Sequence, residues 1–338
     1  MHMVSIVCPI YNEKSFIVKC LESIISQDYP INKLEVWFVD GMSNDETRLI
    51  VQQYIVKYGY IKLLDNPKKI VPYALNIGIK ASNGDVIIRL DGHCIYPSNY
   101  VSTLVKYLFE LNADNVGCGL KTIPAKDGSI CKAIAIASSH KFGVGNSMFR
   151  VGANEIIETD TVPFGCFRRE VFDKVGLFDV ELIRNQDDEF NARIIKNGGK
   201  VFLIPQISID YMARDTIRKT SRMYYQYGLF KPLVNKKLGF PATVRQFFPA
   251  MFVLSLIFGA FLGCFSRIFL AFYLTIIALY ILIALFCSIQ SATKNNDWKL
   301  MFILPFVFFV IHFSYGWGYW VGLFKVFAGK KFGAEVNR

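Results

Sequence analysis

The residues that can do chemistry stand in two short clusters. In Asp91-Gly92-His93 a carboxylate and an imidazole flank a single glycine. That pair can jointly hold a divalent cation, and the missing side chain at position 92 lets the backbone come close to a ligand. An imidazole tilts the choice of ion toward Mn²⁺ over Mg²⁺, since it is a softer ligand than oxygen. In Gln186-Asp187-Asp188-Glu189 three carboxylates precede Phe190, Ile194 and Ile195 at helical spacing, which sets them at a helix N-terminus. The helix dipole and the free amides favour acids there for structural reasons alone, and the same field keeps a carboxylate ionised, as a general base must be. Taken alone, the first cluster reads equally as an Asp-Gly turn with a solvated His, and the second as ordinary helix-end acids.

The elements that would position these groups alternate. Val4–Cys8 reads as a first strand leading into Pro9-Ile-Tyr-Asn-Glu13, with Asn12 expected to cap a helix that carries Phe16, Cys20, Leu21, Ile24 and Ile25. Leu34–Val39 is a second strand, ending in Asp40-Gly-Met-Ser43-Asn-Asp-Glu-Thr47 and a further helix. Ile61–Leu64 is a third, Pro72 opens another helix, and Val86–Leu90 is an unbroken apolar run suited to a strand buried on both faces. Strands and helices in this succession imply right-handed βαβ units and a Rossmann-like, mainly parallel sheet, whose ligands sit beyond the carboxyl ends of the strands. No Gly-rich dinucleotide fingerprint follows strand 1 or strand 2. A nucleotide bound here would have its base held by Asp40 and its phosphates neutralised by a metal at Asp91 and His93.

The chain of 338 residues is 53% apolar with a mean hydropathy of +0.32, and the excess is concentrated between Phe247 and Phe327. Composition therefore divides it into a region over 1–240 that reads as globular and a membrane-anchoring helical region over 241–338. The net charge of +11 accompanies no nucleic-acid motif and no single basic tract, so nucleic acid is not an expected partner; anionic lipid facing a cytoplasmic domain accounts for it. Eight cysteines without C-x-x-C spacing suit free thiols in a reducing compartment. No signal peptide is read at the N-terminus.

The ordered motifs Pro9-Ile-Tyr-Asn-Glu13, Val39-Asp40-Gly-Met-Ser43, Arg89-Leu-Asp91-Gly-His93, Asp160-Thr-Val-Pro-Phe-Gly165, Gln186-Asp187-Asp-Glu189 and Tyr224-Tyr-Gln-Tyr-Gly228 resemble those of family 2 glycosyltransferases with the GT-A fold. Within the family they are most similar to the succinoglycan-type, exopolysaccharide-building membrane enzymes, whose metal motif reads Asp-x-His. The resemblance implies a GT-A mixed, mainly parallel sheet with flanking helices, followed by transmembrane helices. It implies that Pro9, Tyr11, Glu13, Asp40, Ser43, Asp91 and Gly165 bind a nucleotide-sugar donor, UDP-linked in the first instance. It further implies that Asp91 and His93 bind the metal and that Asp187 is the catalytic base. Gln186 stands where the family often has Glu, and the Gln-x-x-Arg-Trp motif of processive synthases is absent, so long polymerisation is not expected.

Direct displacement with one base implies inversion at the anomeric carbon. Phe247–Phe265, Ile268–Ile289 and Met301–Val321 are long enough for membrane helices, with two to four spans expected and Gly316-Trp-Gly-Tyr-Trp320 a place for a re-entrant or interfacial break. Such a tail suits an acceptor saccharide carried on a polyprenyl lipid, with the basic, aromatic run Tyr224–Lys237 at the bilayer surface. The expected setting is a bacterial inner membrane with the catalytic domain in the cytoplasm. The rivals are a polyprenyl-monophosphate glycosyltransferase, with a lipid phosphate as nucleophile, and a non-catalytic sugar-nucleotide-binding scaffold. Lys121–Asp160 is weakly patterned and reads as a loop or a connection. Arg168 and Arg222 are candidates for phosphate contact, whereas Arg169 and Arg218 are expected to be solvated.

Overall fold

The computed structural model describes residues 1–332. The chain runs β1 (Val4–Ile10), α1 (Ile17–Ile25), β2 (Leu34–Asp40), α2 (Thr47–Lys57), β3 (Ile61–Asp65), α3 (Val71–Ala81) and β4 (Val86–Arg89). It continues through α4 (Tyr100–Glu110), β5 (Asn115–Ile123), α5 (Ser129–Ala137), α6 (Lys141–Val144), α7 (Met148–Val151), β6 (Ile157–Glu158), β7 (Cys166–Arg168), α8 (Arg169–Val175), α9 (Gln186–Lys196) and β8 (Val201–Met212). Four helices close it: α10 (Ile217–Leu238), α11 (Phe247–Gly263), α12 (Arg267–Asn295) and α13 (Lys299–Phe327).

Contacts divide the chain into two compact units, residues 1–120 with 152–210, and residues 121–151 with the described residues from 211 on. The change of composition near residue 240 and this division differ because α5 and α10 pack with the apolar α13. Among the described residues the strands form one sheet in the order β3-β2-β1-β4-β7-β5-β8-β6. β3, β2, β1 and β4 run parallel, and β7 is antiparallel to both β4 and β5, so the sheet is mixed and its first half parallel, as expected from the alternation.

In the first unit, register decides where the chemistry falls. Val7 lies opposite Arg89, Ile10 opposite Asp40, and Asp40 opposite Asp65, so the loops after all four parallel strands open along one edge. Val4, Ile6, Val86, Ile87 and Ile88 are buried, which is what permits the unbroken apolar run of a central parallel strand. Below α9 the rings of Phe167, Phe172, Phe178 and Phe190 interlock at centroid separations of 4.4–6.2 Å. A buried amide chain fixes the same helix: Asn115 Nδ2 donates to Asn191 Oδ1 at 2.6 Å, and Asn191 Nδ2 donates to Thr161 Oγ1 at 3.0 Å.

The second unit packs by close backbone approach. A Cβ at Gly318 would lie 2.2 Å from the Tyr225 carbonyl oxygen, one at Gly322 2.2 Å from that of Leu229, and one at Gly228 2.0 Å from that of Tyr315. Small residues thus let α10 and α13 meet nearly backbone to backbone. Gly316-Trp-Gly-Tyr-Trp320 is therefore no break: it lies inside a continuous α13, and its glycines are packing residues. The run Tyr224–Lys237 is likewise not laid out on a surface, since Tyr224, Phe230, Lys231 and Val234 are buried and Lys236 and Lys237 alone keep the exposed positions of the last turn. Residues 121–160 are not a plain loop, because α5, α6 and α7 all form there, and α5 and α6 pack against α13.

Among the described residues three helical segments are long and apolar enough to cross a membrane, Val244–Gly263, Arg267–Asn295 and Lys299–Phe327. Phe258, Phe261, Phe265, Phe269, Phe272 and Leu282 point outward from α11 and α12 and their junction. An apolar surface of that extent needs a covering that water does not supply.

Candidate active site

β4 carries its own organising charge. Arg89 is the last residue of the strand, with only 6% of its side chain exposed. Its Nη2 reaches Asp91 Oδ1 at 3.2 Å and its Nη1 donates to Asp187 Oδ1. One guanidinium therefore holds the carboxylate after β4 and the carboxylate in the first turn of α9, two groups far apart in the chain. Burial disfavours the charge on Arg89, but Asp187 and Asp91 more than restore it and its pKa is raised. Burial also pushes the Asp187 carboxyl above the usual carboxylate range; Arg89 pulls it back, and Asp91 and Asp188 add to the rise. The ordinary, helix-dipole ionisation expected of Asp187 is thus corrected to a carboxylate of increased proton affinity. Its side chain remains 27% exposed, so a proton can reach it.

Around Asp91 the backbone is pinned. The Asp91 N–H donates to Tyr96 Oη at 2.7 Å, and that hydroxyl donates back to the Asp91 carbonyl at 3.1 Å. A Cβ at Gly92 would lie 2.7 Å from Ile10 Cγ2, so only glycine lets the turn tuck against the end of β1. His93 is 45% exposed, and its Nδ1 lies 3.3 Å from the Oε1 of the buried Glu13. A proton on Nδ1 shared with that carboxylate leaves the lone pair on Nε2, which is the arrangement of metal-ligating imidazoles.

Among the described residues no three His, Cys, Asp or Glu side chains gather into a metal cage. A cation that shares phosphate oxygens with its substrate needs only one or two protein groups. Asp91 with a carboxylate-oriented His93 fits that kind of donor set. Bound there, a divalent cation would act as a Lewis acid on a diphosphate.

The loops after β1 and β2 are sewn together. Asn12 has φ 54° and does not cap α1, whose first residue follows Phe16. Its backbone N–H donates to Ser43 Oγ at 2.9 Å, and its Oδ1 accepts from the Asn44 N–H at 2.9 Å. The Glu13 N–H donates to Thr47 Oγ1 at 2.7 Å. Asp40, expected at the nucleobase, is sealed from solvent; it accepts from Ser43 Oγ at 2.6 Å and pairs with Arg48 Nη1 at 3.2 Å. Arg48 also pairs with Asp65 at 2.5 Å. A nucleotide would touch the Asp40 carboxylate only by displacing one of those partners.

The remaining expected residues fall as follows. Pro9 is buried in β1 opposite Val39, and Tyr11 lies at the mouth of the loop with Lys69 Nζ 5.8 Å from its ring centroid. Gly165 gives its carbonyl to the Arg89 N–H at 3.0 Å, and a Cβ there would strike the Phe167 ring at 2.3 Å. Arg169 is not a solvated surface residue: it donates to Ser82 Oγ at 2.9 Å and to the Gly84 carbonyl. Arg168 donates to the Ala113 carbonyl at 2.8 Å and is occupied within the fold. Arg218 is exposed. Sequence reasoning assigned no role to Arg89 or Arg48. A local signal existed only for the nearer partner of Arg89, since Arg89 and Asp91 stand two residues apart at the end of one strand; the pairing with Asp187 had none.

The comparisons with known proteins bear on the family and the fold. The family model described as "Glycosyl transferase family 2" matches residues 5–176. A protein of Methanococcus voltae, named dolichyl N-acetyl-alpha-D-glucosaminyl phosphate 3-beta-D-2,3-diacetamido-2,3-dideoxy-beta-D-glucuronosyltransferase, is 28% identical over 331 residues, 96% of this chain and 98% of its own. The succinoglycan biosynthesis protein ExoA of Rhizobium meliloti (strain 1021) is 30% identical over 260 residues, 76% of this chain and 77% of its own. Among solved structures, the mannosyltransferase PcManGT from Pyrobaculum calidifontis, in complex with GDP-Man and Mn²⁺, superposes with a TM-score of 0.57 at 18% identity. That match covers 94% of this chain and 87% of the mannosyltransferase. With more than half of its length matched by the family model, and with a relative 30% identical over three quarters of both chains, the chain belongs to glycosyl transferase family 2.

Proposed function

We propose that this glycosyltransferase moves a sugar, with inversion, from a nucleotide-sugar donor, UDP-linked in the first instance, to a saccharide carried on a polyprenyl lipid. The setting is the building of a bacterial surface polysaccharide at the cytoplasmic face of the inner membrane. What supports the reading is the single guanidinium shared by Asp91 and Asp187. It ties the group expected at the leaving diphosphate to the group expected to take the acceptor proton. Asp187 accepts that proton from the attacking hydroxyl, and its raised pKa makes it a stronger base than an exposed aspartate. Arg89 holds the Asp187 carboxylate in one orientation and keeps it from being neutralised by its own burial. Asp91 and His93, the latter oriented by Glu13, would hold Mn²⁺ or Mg²⁺, which supplies Lewis-acid stabilisation to the departing diphosphate.

Pro9, Tyr11, Glu13, Asp40, Ser43 and Gly165 shape the donor pocket, with Asp40 acting through the Ser43 and Arg48 that it holds. The lipid-linked acceptor is supported by the apolar helices of the second unit and by the relative in Methanococcus voltae, whose name specifies a dolichyl phosphate-linked sugar. The test uses the full chain in phospholipid nanodiscs, a panel of nucleotide sugars and a lipid extract, with and without Mn²⁺ or Mg²⁺. The expected result is cation-dependent release of one nucleoside diphosphate together with radiolabelled sugar in the lipid-extractable fraction, with the anomeric configuration inverted. Label that stays water-soluble with every donor would overturn the assignment.

A further inference from the structure

Arg150, on α7 in the second unit, is a cation that meets no carboxylate among the described residues. Its Nη1 is sealed and meets no hydrogen-bond partner. Its guanidinium carbon lies 5.4 Å from the centroid of Phe149 and 5.2 Å from that of Tyr211. Besides burial, which disfavours its charge, the groups that act on it are Tyr227, Tyr211 and Tyr224, with the Tyr211 hydroxyl accepting from it. Tyr224 and Tyr227 lie edge to face at 5.8 Å on α10. Ser138 Oγ, beside the same Tyr224, is a second sealed polar atom that finds no partner of hydrogen-bond geometry.

The unit offers little to neutralise this charge. Its described residues include nineteen Lys or Arg against three carboxylates, Asp127, Asp215 and Asp297. Asp215 is taken by Lys126 and Lys219, Asp297 by Lys132, and Asp127 is exposed. An arginine stays charged in any protein setting, and a buried charge that lacks a partner is strongly unfavourable. The chain nonetheless collects an unpaired guanidinium, a hydroxyl and three phenols at one spot in the unit that bears the apolar helices. Those are hydrogen-bond donors set for an anion with several oxygens. Arg150 as a residue keeps part of its surface open, so an anion has a side from which to approach.

We propose that Arg150, with Ser138, Tyr211, Tyr224 and Tyr227, forms an anion subsite that takes the phosphate of a lipid-linked acceptor. The inference rests on the reading of the acceptor as lipid-linked and adds the residues that would recognise its head. The Phe149 and Tyr211 rings flank the guanidinium, at 5.4 and 5.2 Å from its carbon, and leave its donors to a compact anion such as phosphate.

The test measures binding of farnesyl diphosphate to the full chain in zwitterionic nanodiscs without divalent cation, so that the Asp91 region does not capture the diphosphate. Farnesol, inorganic pyrophosphate and phosphatidylglycerol vesicles are the comparison probes. Arg150→Gln should weaken farnesyl diphosphate binding by about tenfold to a hundredfold, as expected when a charged donor to phosphate is lost. Arg150→Lys should lose less, and binding of nucleoside diphosphate with Mn²⁺ should be unchanged in both variants, which establishes that they are folded. Equal farnesyl diphosphate affinity in the wild type and Arg150→Gln would overturn the subsite. So would pyrophosphate binding as tightly as farnesyl diphosphate, which would make it a free-anion site, or equal competition by phosphatidylglycerol, which would make it a bilayer contact. Sugar transfer into the lipid fraction is assayed in parallel. If transfer fails while Arg150-dependent binding holds, the functional reading falls and the subsite stands; if transfer occurs and binding ignores Arg150, the reverse is true.

Discussion

The two units treat buried charge in opposite ways. At the strand ends of the first unit each buried charge has a partner: Arg89 lies between Asp91 and Asp187, Asp40 pairs with the half-exposed Arg48, and Glu13 faces the exposed His93 ring. In the second unit the buried guanidinium of Arg150 has phenols and a benzyl ring around it and no carboxylate among the described residues. A paired network is complete in itself and serves to hold groups in orientation; an unpaired one is completed by something from outside. On the function and the subsite proposed above, the contrast separates residues that hold the chemistry in place from a residue completed by its ligand.

The largest effect is expected from breaking the first arrangement. Arg89→Ala leaves two partly buried carboxylates facing each other without a counter-charge, which should destabilise the fold by about 3–5 kcal/mol. Chemical denaturation of the full chain in detergent, followed by tryptophan fluorescence, measures it; a loss within ordinary surface-substitution range would show that the pairing is not holding α9 to β4. Next is Gly322→Leu, which drives a side chain into the Leu229 carbonyl and should cost about 1–3 kcal/mol or more through overpacking. Gly59→Ala, with nothing within 4 Å, is the control, expected within about 0.5 kcal/mol of the wild type by thermal unfolding.

Asp91→Asn should keep the fold yet weaken Mn²⁺-dependent binding of the nucleoside diphosphate by about tenfold or more, measured by calorimetric titration with and without the ion. An unchanged dependence on the ion would remove Asp91 from the donor site. The smallest effect is a displacement in pH. Because burial raises the Asp187 pKa, the carboxyl is protonated, and unable to act as base, up to a higher pH than an exposed aspartate. Turnover should therefore fall as pH drops through that raised value, with the acid limb above the ordinary aspartate value of about 3.9. The limb should be absent from the residual rate of Asp187→Asn.

Much of the first unit was legible because period and punctuation agree there. Alternating apolar strands and helices located β1 to β4 within two residues, and the parallel register then forces the loops carrying Asn12, Ser43 and Asp91 to one edge. The Arg89 bridge was not legible, since pairing Asp187 with Arg89 joins positions 98 apart and no local pattern encodes it. Asn12 was read as a cap because Asn before an apolar helix usually is one; here its φ of 54° turns it to the neighbouring loop instead. Residues 121–151 hid α6 and α7 because each is four residues long, too short to show a period. The glycines of α13 looked like a break because glycine punctuates soluble chains, whereas among apolar helices it marks where backbones touch.

The central claim is that Asp187 is the base and not merely an acid favoured by a helix end. Asp187→Asn and Asp188→Asn share that helix end and the same loss of one charge, so the most direct measurement is their turnover side by side, with donor affinity and thermal stability recorded for each. The account predicts that Asp187→Asn lowers turnover by on the order of 10²–10⁴ while donor affinity survives, and that Asp188→Asn stays close to the wild type. Near-normal turnover in Asp187→Asn, or an equal loss in Asp188→Asn, would contradict it.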